Sequence, residues 1–363
     1  MLPWWMKWLL FICSRDGGRT MKTDRTDDRA APHAVIDCDI HHDTGMGRIK
    51  PYLPRAYREL TDAYGNAVPG GDPRDGVADV QTLRQAYLDE RPLACGILTG
   101  TNYGVQAAPN YEYAVELCRA INTYTVDHWL GEDARLKGSI IIPKQQPVYA
   151  AKEIDRMAPH PGMVQVLVSN GAFMPYGNRF YDPIYEACER HGLPLTIHAG
   201  MEGVGINNPM TGVGYVTTRA EWIFSRTQVM MAHVASMIFE GVFERFPTLR
   251  VVLQEAGVFW IVPYLWRLDQ DWRGLRVQTP WVKRFPSEYF REHFRITTQT
   301  VELPNNANLQ DELLRQIDAE RTLMFASNYP YGDEAAQAAI WSNERDSLKR
   351  QVMGNTAAEL YGI

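Results

Sequence analysis

The chain has 363 residues, 45% hydrophobic and 22% charged, with 10 Trp, 18 Tyr and 12 Phe. That is ample material for a folded core, and it excludes disorder, collagen and coiled coil as the main architecture. A formal net charge of −6, from 37 Lys/Arg against 43 Asp/Glu, with no basic block, excludes a surface that tracks nucleic acid.

Residues 2–13 (LPWWMKWLLFIC) are apolar apart from Lys7 but too short to span a bilayer, so no membrane partner is expected. Met21 and the following KTDRTDDRAAPH read as an ordinary soluble start. Residues 1–33 are therefore expected to be a leader, either disordered or a mis-assigned start. From residue 34, short apolar runs alternate with amphipathic stretches. The runs are 34–41 (AVIDCDIH), 93–99, 136–143, 163–169, 194–199, 249–255, 294–300 and 323–327. Helical patterning follows at 80–90, 110–130, 147–157, 183–191, 217–246, 258–272, 308–319 and 333–360. Near-continuous apolar strands separated by crossover helices are the pattern of a parallel sheet. Eight such units predict an α/β fold, a single (β/α)₈ barrel over 34–363. The Gly/Pro-rich stretch 65–76 reads as a rim insertion.

Five cysteines (Cys13, Cys38, Cys95, Cys118, Cys188) are odd in number and never spaced C-x-x-C. This argues against a disulfide framework and for a reducing compartment, the cytoplasm. No Walker A, G-x-S-x-G or H-E-x-x-H motif is present, and GMEGVG at 200–205 lacks the context of a dinucleotide site.

In a barrel of this kind chemistry gathers at the C-terminal strand ends. Those ends carry Asp37, Asp39 and His41, then His198, Glu255, Thr298 with Gln299, and Asn328. Simple alternation places Asp37, Asp39 and His41 on one face and Ile36, Cys38 and Ile40 on the other. Asp39, His41 and His198 form an O/N set suited to zinc, manganese or iron. The residues alone equally permit a charge-assisted Asp39–His41 pair with no metal. Glu255 closes an otherwise apolar strand, which suits proton transfer; an ion pair with Arg179 or Arg219 is the alternative. Arg179 is a candidate clamp for a substrate carboxylate or half of a surface ion pair. His233 is a substrate-facing or a packing residue. Phe173, Trp222, Tyr329 and Tyr331 are candidates for an aromatic pocket. His42, His128, His160 and His191 are expected at the surface or in caps.

The segments VIDCDIHH, DPIYEACERHGLPLTIHAG, GVFERFPTLRVVLQEAG, PYLWRLD, FASNYP and GNTAAELYGI, in this order, resemble the amidohydrolase superfamily. More narrowly they resemble its amidohydrolase-related branch, which includes aminocarboxymuconate-semialdehyde decarboxylase and γ-resorcylate decarboxylase. The resemblance runs from about residue 34 to the C-terminus and implies a (β/α)₈ barrel. It also implies one divalent metal, zinc first and manganese second, held by Asp39, His41, His198 and position 328, and a small-molecule substrate. A homodimer is implied as well. The metal-adjacent histidine of strand six falls on Glu255. The aspartate of strand eight falls on Asn328, which has no titratable carboxylate, so Glu255 or Asp333 inherits the proton transfer and Asn328 orients water or substrate.

The leading expectation is a metal-dependent hydrolase or decarboxylase of a small cyclic or aromatic acid. Two others stay open: a metal-independent lyase, cyclase or isomerase using the same groups, and a ligand-binding barrel that has lost turnover with the strand-eight aspartate.

Overall fold

The computed structural model describes residues 34–332 and 346–363, apart from 66–67, 70–74, 92, 303 and 305. The leader at 1–33, part of the Gly/Pro-rich loop and Asp333 lie outside the described residues.

Eight parallel strands pair in chain order: β1 (Val35–Ile40), β2 (Leu93–Leu98), β3 (Leu136–Ile141), β4 (Met163–Ser169), β5 (Leu195–His198), β6 (Val251–Gln254), β7 (Phe294–Thr297) and β8 (Leu323–Met324). The end of the sheet returns to its start. The Cys38 amide donates to the Phe325 carbonyl at 3.0 Å and the His41 amide to the Tyr329 carbonyl at 2.8 Å. The sheet therefore closes into the expected (β/α)₈ barrel.

Local chemistry accounts for the crossover helices. Asn110 caps helix Tyr111–Thr125 by accepting from the Tyr113 amide, and Pro147 opens helix Pro147–Met157. Helix Asp182–His191 ends on Gly192 at φ 65, a left-handed position that glycine occupies without strain. Helix Arg219–Phe239 begins with a capping box between Thr218 and Glu221. Outward strand residues such as Val166, Val168, Ile197, Leu253 and Ile296 pack with Ile154, Tyr185 and Val234 of these helices and with Leu265 of helix Ile261–Leu275. That layer fixes each strand end relative to the next.

Among the described residues, two helices of eight or more residues, Arg55–Tyr64 and Pro286–His293, are additional to the sequence pattern. The first does carry an amphipathic pattern, with Tyr57 and Leu60 half-buried beside the buried Thr61.

β1 departs from simple alternation, because its pairing with β2 shifts register between Asp37 and Ile40. Ile36 and Cys38 share one buried cluster with Val164, Val252, Met324 and Ala326, as alternation predicts, while Ile40 lies in another. Asp37, expected beside Asp39, turns to Tyr87 and Ser327 instead. Its carboxylate accepts from the Tyr87 hydroxyl at 2.6 Å, the Ser327 amide at 2.9 Å and the Ser327 hydroxyl at 2.6 Å. Burial raises the Asp37 carboxyl to about 6 against these hydrogen bonds. β8 stops at Met324, short of the predicted run, where the Phe325 amide donates to the Val352 carbonyl and the Ala326 amide to the Thr298 hydroxyl.

Candidate metal centre

Asp39 lies at the centre of the barrel mouth, fully buried. One oxygen is 3.4 Å from His41 Nε2 and the other 3.4 Å from His198 Nε2, while the Thr99 hydroxyl donates to Oδ1 at 2.7 Å. Burial opposes ionisation of Asp39, but the imidazoles of His41 and His198 hold its carboxyl down at about 2.

Both histidines are oriented from behind. His41 Nδ1 is 2.7 Å from the Gly100 carbonyl and His198 Nδ1 is 2.8 Å from the Ala199 carbonyl. A carbonyl oxygen only accepts, so each ring donates through Nδ1 and turns Nε2 inward. Three inward atoms, Asp39 Oδ2, His41 Nε2 and His198 Nε2, are buried without a hydrogen-bond partner. Buried polar atoms are normally satisfied, because leaving one unpaired costs about 1–3 kcal/mol. Three converging orphans of this donor type fit one divalent cation and leave room for further ligands.

Glu255 joins them. Ligand atoms of Asp39, His41, His198 and Glu255 all lie within 4.8 Å of one another. Glu255 follows β6 in a left-handed conformation, φ 53, and its Oε2 accepts from the Arg226 guanidinium. The ion pair expected at Glu255 therefore exists with a different partner. Arg226 comes from helix Arg219–Phe239, not from Arg219 itself or from the loop bearing Arg179.

The other expected residues divide. Tyr331 reaches the site, its ring centroid 5.1 Å from that of His41. Asn328 has φ 58 and a buried Oδ1 without a hydrogen-bond partner. Arg179 is on the surface, its side chain 73% exposed and 4.0 Å from Asp182, the geometry of a surface ion pair and not of a clamp. Phe173 packs on Phe180, and Tyr329 stacks on Tyr87. His42, expected at the surface, is buried against Trp129 with Nε2 2.9 Å from the Thr125 hydroxyl. Burial pushes it down to about 3.

His233 is also buried, with Nε2 2.7 Å from the Asn170 carbonyl and Nδ1 accepting from the Tyr176 amide at 3.2 Å. It ties the segment after β4 to helix Arg219–Phe239. Burial lowers its pKa from 6.5 to about 4. Because the folded value lies below the unfolded one, the unfolded chain takes up the proton first as pH falls. Stability from this group is present above about pH 6.5 and is lost towards pH 4, by about 3 kcal/mol. Denaturant titrations near pH 7 and pH 4 should show that loss reduced by about this amount in His233→Gln. An unchanged pH dependence would contradict a neutral, buried His233.

Tyr103 and Thr99 take part without a sequence signature. Tyr103 packs its ring 4.7 Å from that of His198, and burial holds its phenol well above the usual range. Thr99 braces Asp39. Lys144 is wholly buried, donating to Ser169 Oγ at 2.8 Å and to the Tyr176 hydroxyl at 3.1 Å, and burial lowers it to about 7.

Buried imidazoles and carboxylates converging at the C-terminal mouth of a parallel barrel are the layout of an enzyme active site. The chain belongs to the amidohydrolase family, whose sequence profile it matches over residues 36–363. It is 28% identical over 309 residues to the gamma-resorcylate decarboxylase of Rhodococcus jostii (strain RHA1), covering 78% of this chain and 88% of that one. Its fold matches the crystal structure of 5-carboxyvanillate decarboxylase from Sphingomonas paucimobilis, with TM-score 0.66, 23% identity, and 92% and 100% of the two chains covered. It also matches a dihydroxybenzoic acid decarboxylase from Polaromonas sp. JS666 with bound manganese and 2-nitroresorcinol, with TM-score 0.66, 19% identity, and 91% and 97% covered. The protein is an enzyme of the amidohydrolase superfamily. Among the described residues, no helix is long and apolar enough to cross a membrane.

Proposed function

We propose that the protein is a divalent-metal-dependent decarboxylase of a small hydroxylated aromatic acid. The observation that carries this reading is the set of buried, unpartnered donor atoms on Asp39, His41 and His198. The kinship with gamma-resorcylate decarboxylase supports the substrate class and favours carbon dioxide release over hydrolysis. Asp39, His41 and His198 hold the cation. The donor set suits zinc or manganese, and the manganese of the Polaromonas enzyme makes that ion the first to test. When bound, the cation supplies a Lewis acid that grips and polarises the oxygens of the substrate.

The chain's own groups do the rest. Loss of carbon dioxide breaks the ring carbon–carboxylate bond and leaves the electron pair on the ring carbon, which must gain a proton. Glu255 stands beside the cation ligands and moves that proton, a role closed to Asn328 because an amide does not titrate. Asn328 orients the substrate through its free Oδ1. Tyr103 and Tyr331, against His198 and His41, flank a flat ring.

Carbon dioxide release is measured on 2,6-dihydroxybenzoate and 5-carboxyvanillate before chelation, after it, and after adding back manganese or zinc. The expected result is turnover that chelation removes and metal restores. Turnover that survives complete removal of metal would overturn the proposal.

A further inference from the structure

We propose that Glu255 is the fourth protein ligand of the metal, held in place by Arg226. This rests on the metal-dependent reading above and extends it to how the cation's charge is met. Asp39 alone supplies one negative charge among the three orphaned donors, and both imidazoles are neutral when they present a lone pair. Glu255 supplies the second carboxylate, with a ligand atom within 4.8 Å of those of Asp39, His41 and His198. Two carboxylates and two imidazoles balance a divalent cation and complete a four-donor O/N set.

The local backbone serves this placement. The left-handed turn at Glu255, φ 53, takes the chain out of β6 at the residue whose carboxylate faces the cluster. Arg226 engages Oε2, and its guanidinium lies 5.1 Å from the centre of the Trp222 ring one helical turn earlier. A carboxylate has two oxygens, so one can hold the guanidinium while the other faces the cation. The capping box at Thr218 and Glu221 fixes the start of the helix that carries both Trp222 and Arg226. Asn328, where the family resemblance expects the fourth ligand, offers a neutral amide oxygen and brings no charge to the site. The ligating carboxylate has moved from the strand-eight position to the end of β6.

Manganese and zinc are titrated calorimetrically into metal-stripped wild type, Glu255→Gln and Asn328→Ala, and the visible absorption of each Co²⁺-loaded protein is recorded. Gln preserves the shape of the side chain and can still accept from Arg226, and circular dichroism checks the fold. Glu255→Gln is expected to weaken metal binding by at least about 10-fold and to alter the Co²⁺ bands. Asn328→Ala is expected to stay within about 3-fold of wild type, with unaltered bands. The converse pattern, or a Glu255→Gln protein that binds metal like wild type with an unchanged Co²⁺ spectrum, would overturn the proposal. A wild type that binds none of the three ions fails earlier, and overturns the metal-dependent reading itself.

Discussion

Asp39→Asn is expected to empty the site of metal and to lower turnover by more than about 100-fold, beyond the usual effect of losing an outer-sphere partner. The reason is specific to the geometry. Asn retains an oxygen to accept the Thr99 hydroxyl, so the local fold has no cause to collapse. Its amide nitrogen, however, would lie where Oδ2 now stands, 3.4 Å from His198 Nε2. An N–H there donates to the imidazole lone pair and satisfies the atom whose lack of a partner makes it a ligand. The same substitution removes the negative charge that both imidazoles face. Metal content by mass spectrometry and kcat on the same preparation check this. A variant that keeps a full metal complement at wild-type rate would show that Asp39 is not a ligand.

Glu255→Gln should lower kcat by about 10²–10⁴-fold, the range for losing a positioned proton-transfer group. Saturating manganese compensates for any weaker binding of the ion, so the residual defect reports on what Glu255 does once the site is filled, completing the ligand set and moving the proton. Gln can accept from Arg226 but cannot deliver or accept the proton. If kcat at saturating metal stays within about 3-fold of wild type, the proton comes from elsewhere. Asp333, outside the described residues, would then be the next carboxylate to replace.

Much of the fold was legible because a parallel barrel writes itself as apolar runs. Each of the eight strands lies within its predicted run, since strands covered by helices on one face and the barrel interior on the other carry little that is polar. The convergence of Asp39, His41 and His198 at the barrel mouth was legible for the complementary reason: they are polar residues in or at the ends of such runs, where burial needs a partner. What alternation could not reveal was the register shift in β1 that separates Asp37 from Asp39. A shift depends on how two strands pair and leaves no mark in either one. Tyr103 and Arg226 were invisible in another way. They reach the site from the short 3₁₀ helix Tyr103–Ala107 and from helix Arg219–Phe239, and an isolated Tyr or Arg has no local pattern that says where its tip will lie. Arg179 lies ten residues past the end of β4 and Arg226 twenty-eight past the end of β5; tertiary packing sends the second to Glu255 and leaves the first in solvent. His42 was misjudged because its burial comes from Thr125 and Trp129, more than eighty positions away.

The metal itself can be seen directly. Crystals of protein purified without chelator and supplied with manganese are measured at a wavelength where that ion scatters anomalously. A single strong anomalous peak is expected about 2.0–2.3 Å from Asp39 Oδ2, His41 Nε2 and His198 Nε2, at roughly one ion per chain. A map with no peak among these three atoms, from protein holding less than about a tenth of an equivalent of any transition metal, would contradict a metal centre in this barrel.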